Sequence, residues 1–572
     1  MTESRGFKRR QFLAGSAGLL GAGLIGRPAL LAAEVDRYDQ ETDVLVVGTG
    51  AAGSSAALFA RQAGAAVMVV EKADYFGGTT AKSQGGYWMP ANSLMRAQGL
   101  TDPKPQAMRY MARLAFPTLY NPTATGLGLP ADAYALIETF YDNAARVVDA
   151  LEEMEALRST FFPGADGVAW MPDYYPTLPE NAAPYGRILQ PRKADGSAGM
   201  GEEIARQLQA ALSQRQIPVL YRHRAGRLVL DEAGAVQGLE LQTPEGAHRI
   251  RAHRGVIFGT GGFIHNPVLR RQFLRGPVYG GCTVPAAEGD FVPIAQAAGA
   301  QFGNMQNAWW AEILFEQAIH NSAVPMNVFV PPGDSMLQVN RYGRRYVNEK
   351  FVYNERSQAH FVWDARRAEY SQLLTFMVYD QRTASQFAGL FPLPPETAPY
   401  VISGADFGAL TAALSARLTQ LAPHSGGFSL DADFAGNLGA SVARFNDLAR
   451  QGKDDDFGRG ESPTDQFFHT LYRLPGQHNE FPDATLHPLA DTGPYHAIIL
   501  CAGVLDTKGG PVIDTHSRVL DGYGEPIAGL YGAGNCIAAP AGQAYWSAGA
   551  TIGAALVFGA LAGQHAATRR GR

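Results

Sequence analysis

A glycine motif near the front of the chain constrains the fold more than any other feature. The sequence GTGAAG at residues 48–53 follows an apolar run at residues 43–47 and precedes a helix-forming stretch at residues 54–63. The apolar run predicts a buried parallel strand that ends at the glycines. A helix beginning there presents free N–H groups and a positive dipole end, which favour a phosphate. The motif therefore predicts a strand–turn–helix unit that binds a dinucleotide.

Three glycines and one acidic residue have distinct roles in this interpretation. Gly48 permits the tight turn, Gly50 lets the backbone approach a pyrophosphate, and Gly53 lets the following helix pack closely. A second predicted strand, residues 66–70, ends at Glu71. The Glu71 carboxylate can accept hydrogen bonds from ribose hydroxyl groups. Because all these parts occur in order, we prefer dinucleotide binding to a chance glycine turn.

Length and composition are consistent with a two-domain soluble enzyme. The chain has 572 residues, of which 46% are hydrophobic, and a net charge of −5. The length exceeds the usual size of one domain, and the mild charge gives no electrostatic argument for nucleic acid as a partner. Cys282, Cys501 and Cys536 lie far apart, and the sequence contains neither CxxC nor HExxH. We therefore predict no metal site and no disulfide framework.

Further glycine segments resemble the fumarate reductase and succinate dehydrogenase flavoprotein superfamily. GGTT at residues 77–80 and QGG at residues 84–86 resemble its flavin-wrapping segment, and GVIFGTGG at residues 255–262 resembles its central strand and turn. GLYGAGN at residues 529–535 resembles its closing FAD motif. The resemblance implies FAD as the cofactor. Covalent attachment in the superfamily uses a histidine just before the QGG segment, and Thr79 stands at the equivalent position, so we expect non-covalent FAD.

The resemblance also implies the cofactor-binding residues. They come from the first glycine motif, the end of the second strand, the wrapping segment, the two later motifs and the start of the last predicted helix. They are Gly48, Gly50, Ala52, Gly53, Glu71, Lys72, Gly78, Thr79, Thr80, Gly85, Gly86, Gly261, Gly534, Asn535, Thr551 and Ile552.

The implied fold is α/β, with a Rossmann-like FAD-binding domain, whose mixed sheet is flanked by helices, and an inserted α+β catalytic cap domain. We predict a signal and linker at residues 1–37 and the first part of the FAD-binding domain at residues 38–312. The cap then covers residues 313–506, and the chain returns to the FAD-binding domain at residues 507–572.

Two branches of the superfamily are separated by a few positions. GRRYVNE at residues 343–349 resembles the superfamily segment G-x-R-[FY]-x-N-E. In soluble fumarate reductases the fourth residue after that glutamate is the arginine that delivers a proton to the dicarboxylate, and here it is Tyr353. Residues 542–549, where that branch places another arginine, contain none. Because carboxylates favour bidentate arginine, the sequence disfavours a dicarboxylate substrate.

With these substitutions the chain resembles the 3-ketosteroid Δ1-dehydrogenases. Tyr174 and Tyr175 match the paired tyrosines that follow Pro-Asp in that family, and Tyr353 matches the tyrosine of its Asn-Glu-x-x-x-Tyr segment. Tyr545 and Gly549 match its C-terminal Tyr-x-x-x-Gly. The resemblance covers almost everything after residue 40.

Four residues form the predicted catalytic set. A C–H next to a ketone becomes more acidic when the ketone oxygen gains hydrogen bonds, and the Tyr545 hydroxyl with the Gly549 N–H can supply them. Tyr353 is the predicted base. A tyrosine has an ordinary pKa of about 10, so Tyr353 needs a neighbour, and Tyr174 is predicted to donate to the developing phenolate. The implied reaction is 1,2-desaturation of a 3-ketosteroid, with proton abstraction at C2 and hydride transfer from C1 to flavin N5.

Three aromatic residues are predicted to bind the substrate. Trp309 and Trp310 can wall an apolar pocket for a steroid skeleton, with core packing as the alternative, and Tyr175 lies beside the predicted Tyr174. Trp546 and Ser547 replace the family's usual Pro-Gly. Ser547 could take over the role of the Tyr545 hydroxyl, and these departures leave open the exact steroid and the position of desaturation.

Other functions stay open beside the favoured one. They are a fumarate-class reductase of an unsaturated acid, a 3-ketosteroid 4,5-desaturase, and a non-catalytic flavin-binding assembly protein. The predicted partners are a 3-ketosteroid and an unidentified electron acceptor, either a quinone or a redox protein, with membrane-surface association left open.

The N-terminus resembles an export signal. KRRQFL at residues 8–13 resembles the twin-arginine motif and precedes an apolar run that ends at residue 25. The run is too short for a confident membrane span. We expect a periplasmic or exported protein. The alternatives are a cytoplasmic protein and one anchored to the membrane by an uncleaved N-terminus, since no A-x-A site is cleanly placed before Glu34.

Overall fold

The computed structural model describes residues 37–165, 167–325, 330–390, 392–471 and 477–569. The twin-arginine motif and its apolar run lie outside these residues. Asp39–Arg572 form one compact unit.

The strands of the described residues are β1 (Gln40–Val47), β2 (Val67–Val70), β3 (Tyr87–Trp88), β4 (Ser159–Phe161), β5 (Ile188–Pro191), β6 (Val219–Leu220), β7 (Arg224–Leu230), β8 (Val236–Thr243), β9 (Gly246–Phe258), β10 (Phe302–Gly303), β11 (Ala308–Leu314), β12 (Met336–Val339), β13 (Trp363–Asp364), β14 (Glu369–Tyr370), β15 (Leu374–Asp380), β16 (Ile402–Gly404), β17 (Tyr495–Thr507), β18 (Gly510–Pro511), β19 (Arg518–Leu520) and β20 (Pro526–Gly532).

The α-helices of the same residues are α1 (Ala51–Gln62), α2 (Gly78–Lys82), α3 (Ser93–Ala97), α4 (Lys104–Ala115), α5 (Ala131–Glu153), α6 (Gly201–Gln214), α7 (Pro267–Phe273), α8 (Phe291–Ala297), α9 (Phe315–His320), α10 (Tyr353–Arg356), α11 (Gln381–Phe387), α12 (Phe407–Ser425), α13 (Phe434–Gln451), α14 (Pro463–Thr470) and α15 (Ala550–Thr568). Short 3₁₀ helices cover Thr125–Gly128, Ser357–Phe361 and Gly534–Cys536.

The largest sheet has eight strands and contains the strand that precedes the glycine motif. Strand β1 lies between β2 and β9 and is parallel to both, and β6 and β20 extend the parallel part. Strands β7, β8 and β19 add antiparallel pairs. A largely parallel sheet with an antiparallel extension and flanking helices confirms the predicted Rossmann-like α/β fold.

Helix α1 begins earlier than the sequence predicted. The Ser54 N–H donates to the Gly50 carbonyl oxygen at 2.9 Å, so the first helical hydrogen bond already starts at Gly50. Gly50 is the N-cap and the helix begins at Ala51 rather than at residue 54. Strand β1 likewise begins three residues before the predicted run, because Gln40 pairs with Ile250 of β9.

Helices α1 and α15 pack closely through small residues. A Cβ on Gly559 would lie 2.3 Å from the Ala52 carbonyl oxygen, and one on Gly563 would lie 2.2 Å from that of Ala56. Side chains other than hydrogen would therefore separate the two helices. Helix α15 is the one helix of the described residues that is long and apolar enough to cross a membrane, and 78% of that apolar window is buried inside the protein. It is the core helix of the FAD-binding region, and it ends at Thr568.

A second sheet is antiparallel and lies mostly in the predicted cap, with β11 crossing the predicted boundary after residue 312. Its strand order is β11–β17–β15–β12, with β16 beside β17. Helices α12 and α13 contribute Leu414, Leu418 and Leu438 to the core on this sheet. An antiparallel sheet with separate helices agrees with the predicted α+β cap. The boundaries after residues 312 and 506 stay a prediction.

Candidate active site

A cavity of about 560 Å³ joins the glycine motifs to the predicted catalytic tyrosines. Every predicted cofactor residue except Gly53 is in its lining, as are Tyr174, Tyr353, Tyr545 and Gly549. Gly53 lies behind the motif, where an added Cβ would stand 1.9 Å from the Gly48 carbonyl oxygen. Its place agrees with a role in helix packing rather than ligand contact.

The acid at the end of β2 is fixed by the glycine turn. Glu71 Oε2 accepts hydrogen bonds from the Thr49 N–H at 3.0 Å and the Thr49 hydroxyl at 2.8 Å. Its Oε1 accepts from the Ala73 N–H at 2.9 Å. A carboxylate oxygen can accept more than one hydrogen bond, so Glu71 can still receive a ribose hydroxyl. Lys72 Nζ is paired with Glu288 and Asp290 at 3.0 and 2.9 Å.

These residues fit an FAD molecule. Glycines without side chains line the wall at Gly48, Gly50, Gly85, Gly86 and Gly261, and the N-terminus of α1 opens onto the same space. Backbone without Cβ atoms lets a pyrophosphate and a flat ring approach closely. The donor set is therefore that of a dinucleotide site.

Three tyrosine hydroxyls from distant parts of the chain meet at the other part of the cavity. The Tyr174 and Tyr353 oxygens are 2.5 Å apart. The ring centroids of Tyr174 and Tyr545 are 5.3 Å apart and those of Tyr353 and Tyr545 are 5.8 Å apart, with edge-to-face geometry throughout. At 2%, 6% and 3% exposure, Tyr174, Tyr353 and Tyr545 are buried. The fold thus brings the predicted base, its neighbour and the predicted carbonyl donor together.

Burial controls the pKa values of these phenols. Burial raises the pKa of Tyr353 well above its ordinary value of 10.0, and the neighbouring Tyr174 and Tyr545 raise it further. Burial also raises the pKa of Tyr545, and hydrogen bonds with Tyr353, Thr551 and the Gly549 backbone partly offset that rise. Tyr545 and Gly549 both line the cavity.

Gly549 is required at that point by two independent features. Its φ of +83° lies in the left-handed region, and an added Cβ would stand 2.4 Å from the carbonyl carbon of Gly86 and the nitrogen of Tyr87. The residue is also the N-cap of α15. The wrapping segment and the C-terminal segment hence touch through glycine backbone, which places the helix dipole at the site.

A buried ion pair holds the segment that carries Tyr174. The Asp173 carboxylate accepts from Arg187 at 2.7 Å and from the Trp88 indole N–H at 2.8 Å. Arg187 also pairs with Asp102 at 2.6 Å. Because a buried guanidinium needs its partners, this network fixes the loop that precedes Tyr174.

The helix that begins with Tyr353 is anchored on the second sheet. Arg356 at its C-terminal end pairs with the buried Glu312 of β11 at 2.5 Å. The Asn354 side-chain oxygen accepts from the Trp310 N–H at 3.1 Å. Tyr353 therefore enters the cavity from the predicted cap, whereas Tyr545 enters from the FAD-binding region.

The three residues predicted to bind substrate do not line the cavity. Trp309 packs edge-on against Tyr545, with ring centroids 5.0 Å apart. Trp310 packs against Phe361 at 4.7 Å, because neighbouring residues of strand β11 point to opposite faces. The Tyr175 hydroxyl donates to Glu355 at 2.7 Å. Both tryptophans therefore pack in the protein core, which was the alternative to substrate binding.

The two departures after Tyr545 also point away from the cavity. Trp546 stacks on Phe140 at 5.4 Å, and its indole N–H donates to the Met111 carbonyl oxygen at 3.1 Å. Ser547 is fully buried and is absent from the cavity lining of the described residues. The structure therefore gives Ser547 no position from which to replace the Tyr545 hydroxyl.

The apolar walls beside the tyrosines were not identified from the sequence. Phe468 of α14 lies 5.9 Å from the Tyr174 ring and 6.3 Å from the Tyr353 ring. Other apolar side chains in the lining of the same cavity are Phe162, Pro163, Met171, Val330, Phe467 and Leu471. The paired phenylalanines at residues 467–468 are the one signal that could have found this wall.

Comparison with known proteins supports the cofactor and the fold. The family described as FAD binding domain matches residues 43–552. The chain is 28% identical to a 3-oxosteroid 1-dehydrogenase of Mycolicibacterium smegmatis, over 91% of this chain and 96% of that protein. It is equally 28% identical to a 4-oxocyclohexanecarboxylate 2-dehydrogenase of Sinomonas cyclohexanicum, over 91% and 92% of the two chains.

A solved structure extends the similarity to three dimensions. The 3-ketosteroid Δ1-dehydrogenase of Sterolibacterium denitrificans, in complex with 1,4-androstadiene-3,17-dione, superposes with a TM-score of 0.76 at 26% identity. The match covers 92% of this chain and 99% of that one. The resemblance seen in the motifs is thereby confirmed, while the non-covalent attachment stays a prediction. The chain belongs to the FAD binding domain family and is an FAD-dependent oxidoreductase.

Proposed function

We propose that the enzyme removes two hydrogens from C1 and C2 of a 3-ketosteroid. The observation that carries this proposal is the meeting of Tyr174, Tyr353, Tyr545 and the Gly549 N–H on one wall of the FAD cavity. A hydrogen-bond pair for a ketone oxygen beside a phenol that can take a proton is the set that α-deprotonation of a ketone requires.

The carbonyl site acts first in this mechanism. The Tyr545 hydroxyl and the Gly549 N–H both donate to the C3 ketone oxygen, and the N-terminus of α15 stabilises the negative charge that develops there. Because Tyr545 is buried, these donors act in a low-dielectric environment where they are worth more than in solution. The C–H bond at C2 becomes more acidic as a result.

Tyr353 then takes the C2 proton. The Tyr174 hydroxyl, 2.5 Å away, holds the charge of the Tyr353 phenolate by a hydrogen bond. Bound FAD supplies the two-electron acceptor for the hydride that leaves C1. The product carries a C1–C2 double bond conjugated with the ketone, and its ketone oxygen stays between Tyr545 and Gly549 until release.

The rate of substrate-driven flavin reduction is expected to rise with pH. Burial raises the Tyr353 pKa well above 10.0, so the phenol is almost wholly protonated near neutrality. Below the pKa, the phenolate fraction grows about tenfold for each pH unit, and the rate should follow it between about pH 7 and 9. Stopped-flow reduction with a saturating ketosteroid measures this, with FAD retention checked at each pH. A rate that is flat or falls over that interval would contradict Tyr353 as the base.

A second candidate function is desaturation of a small cyclic keto acid. The relative from Sinomonas cyclohexanicum supports it, because that protein is named for 4-oxocyclohexanecarboxylate. The same tyrosine hydroxyls can act on the ketone of a steroid or of a cyclohexane ring. The carboxylate, however, needs a cation, and the described lining residues include no arginine. Of the two lysines in the lining, Lys72 is paired with acids and Lys82 donates to the Thr283 and Val324 carbonyl oxygens.

A substrate panel separates these candidates. The protein with bound FAD is mixed anaerobically with a 3-ketosteroid, with 4-oxocyclohexanecarboxylate and, after dye reduction, with fumarate. The apolar wall, and a lining without arginine among the described residues, predict bleaching of the flavin by the ketosteroid and fumarate turnover below about one per second. Product analysis then distinguishes 1,2- from 4,5-desaturation. Bleaching by the keto acid alone would favour the second candidate, and fumarate turnover above that rate would contradict both.

The location and the electron acceptor are further proposals. The KRRQFL segment at residues 8–13 supports export by the twin-arginine route, which carries folded, cofactor-loaded proteins. A quinone or a redox protein is the proposed acceptor, because two electrons must leave the flavin after each turnover.

A further inference from the structure

A buried lysine lies behind the carbonyl site and is not used in the mechanism above. Lys508 follows β17 and has no exposed surface. Its Nζ donates to the Ala544 carbonyl oxygen at 2.8 Å. Ala544 directly precedes Tyr545, so this contact fixes the backbone from which the Tyr545 ring extends.

The same amine reaches Tyr545 by a second route. Lys508 Nζ lies 4.2 Å from the ring centroid of Trp309. Trp309 in turn packs edge-on against the Tyr545 ring, with centroids 5.0 Å apart. The indole N–H of Trp309 donates to Asn535, which lines the FAD cavity. The Lys508 side chain thus contacts both the backbone next to Tyr545 and the Trp309 ring that packs against Tyr545.

A lysine in this place is costly to the folded protein. Burial lowers the pKa of Lys508 well below its ordinary value of 10.5. A long side chain of this kind is almost never fully buried without a paired acid. In the described residues no carboxylate forms a salt bridge with Lys508, and attraction by Glu355 offsets only part of the fall in its pKa. A hydrophobic residue would fill the same volume without that cost, which points to a role for the amine.

We propose that Lys508, acting with Trp309, is a positioning residue that aims the Tyr545 hydroxyl at the substrate ketone. The inference rests on the proposed function. A displacement of about 1 Å at a reacting group can cost about a hundredfold in rate, so loss of the amine should slow reduction without loss of FAD. A residue that acts only through Tyr545 should have no effect once the Tyr545 hydroxyl is gone.

The test is a double-mutant cycle of Lys508→Met and Tyr545→Phe. Methionine keeps an unbranched side chain that is one heavy atom shorter, and it removes the donor. The rate of flavin reduction at saturating ketosteroid is measured in the four proteins, together with FAD content and the thermal midpoint. Lys508→Met should slow the parent by about tenfold or more and the Tyr545→Phe protein by less than about twofold, since effects through one group are not additive.

Lys350 provides the matched control. It is also fully buried, its Nζ donates to the backbone carbonyl oxygens of Pro331 and Gly333, and burial lowers its pKa in the same way. It does not contact Tyr545 or Trp309. Lys350→Met should therefore change the rate by the same factor in both backgrounds, as a general loss of packing does.

The outcomes separate this inference from the proposed function. Equal slowing by Lys508→Met in both backgrounds, or a rate within about twofold of the parent, overturns the inference and leaves the function standing. A parent protein that no ketosteroid reduces overturns both. If Lys508→Met loses FAD, Trp309→Phe takes its place in the cycle, because it keeps a ring beside Tyr545 and removes the indole face under Lys508. Equal slowing by Trp309→Phe in both backgrounds, or a rate within about twofold of the parent, would then overturn the inference.

Discussion

Replacing Tyr353 by phenylalanine is expected to slow ketosteroid-driven flavin reduction at least about a hundredfold, the low end for loss of a general base. The ring remains, so the edge-to-face contact with Tyr174, at 5.5 Å between centroids, is preserved. The hydroxyl that takes the C2 proton is lost. FAD binding should not change, because the segments that cradle the dinucleotide lie elsewhere in the cavity lining. Anaerobic stopped-flow mixing with a saturating ketosteroid measures the effect.

Tyr379→Phe is the control for loss of a buried phenol hydroxyl. Tyr379 is fully buried on β15 and its hydroxyl has no hydrogen-bond partner within the described residues. The rate of flavin reduction in the Tyr379→Phe variant should equal that of the parent. A Tyr353→Phe rate within about threefold of the parent would remove Tyr353 from the mechanism, since general-base catalysis contributes more than that.

Tyr545→Phe is expected to remove one of the two donors to the ketone oxygen. Loss of one such donor costs about 2.7–4 kcal/mol of transition-state stabilisation, which is a fall of about 10²–10³ in rate. The Gly549 N–H remains and should support the residual activity. The measurement is the same reduction rate, with ketosteroid affinity followed separately so that poor binding is not mistaken for poor catalysis.

Ser547 gives this experiment its control. Ser547→Ala removes a neighbouring hydroxyl that lies outside the cavity lining of the described residues, so its rate should match the parent. Tyr545→Phe combined with Ser547→Ala should be no slower than Tyr545→Phe alone. A much slower double variant would mean that Ser547 does reach the ketone, contrary to the structure.

The cofactor half of the site could be predicted from sequence because its signals are local. Gly48 allows the turn, Gly50 lets the backbone approach the ligand, and Gly53 lets the helix pack closely. These three glycines lie within six residues of one another. The tyrosines were found through their segments. The contact between these tyrosines could not be derived from sequence spacing, because Tyr174 and Tyr353 are 179 residues apart.

Prediction of the substrate-binding part of the site required the directions of the side chains, which the sequence does not specify. Trp309 and Trp310 alternate on a strand buried on both faces, so either could have faced the cavity. In the structure neither does, and Phe467 and Phe468 of the short helix α14 form the wall instead. Lys508 could not be identified from the sequence, because burial of a lysine has no signature in the chain.

The most direct test of the proposed substrate orientation is a crystal structure of the FAD-bound protein with a 3-ketosteroid. We expect the C3 ketone oxygen to lie within about 3.2 Å of both the Tyr545 hydroxyl oxygen and the Gly549 nitrogen, which is the limit of a normal hydrogen bond. We also expect the Tyr353 hydroxyl to lie beside C2. A ketone oxygen beyond hydrogen-bond reach of both Tyr545 and Gly549 would contradict the substrate orientation on which 1,2-desaturation rests.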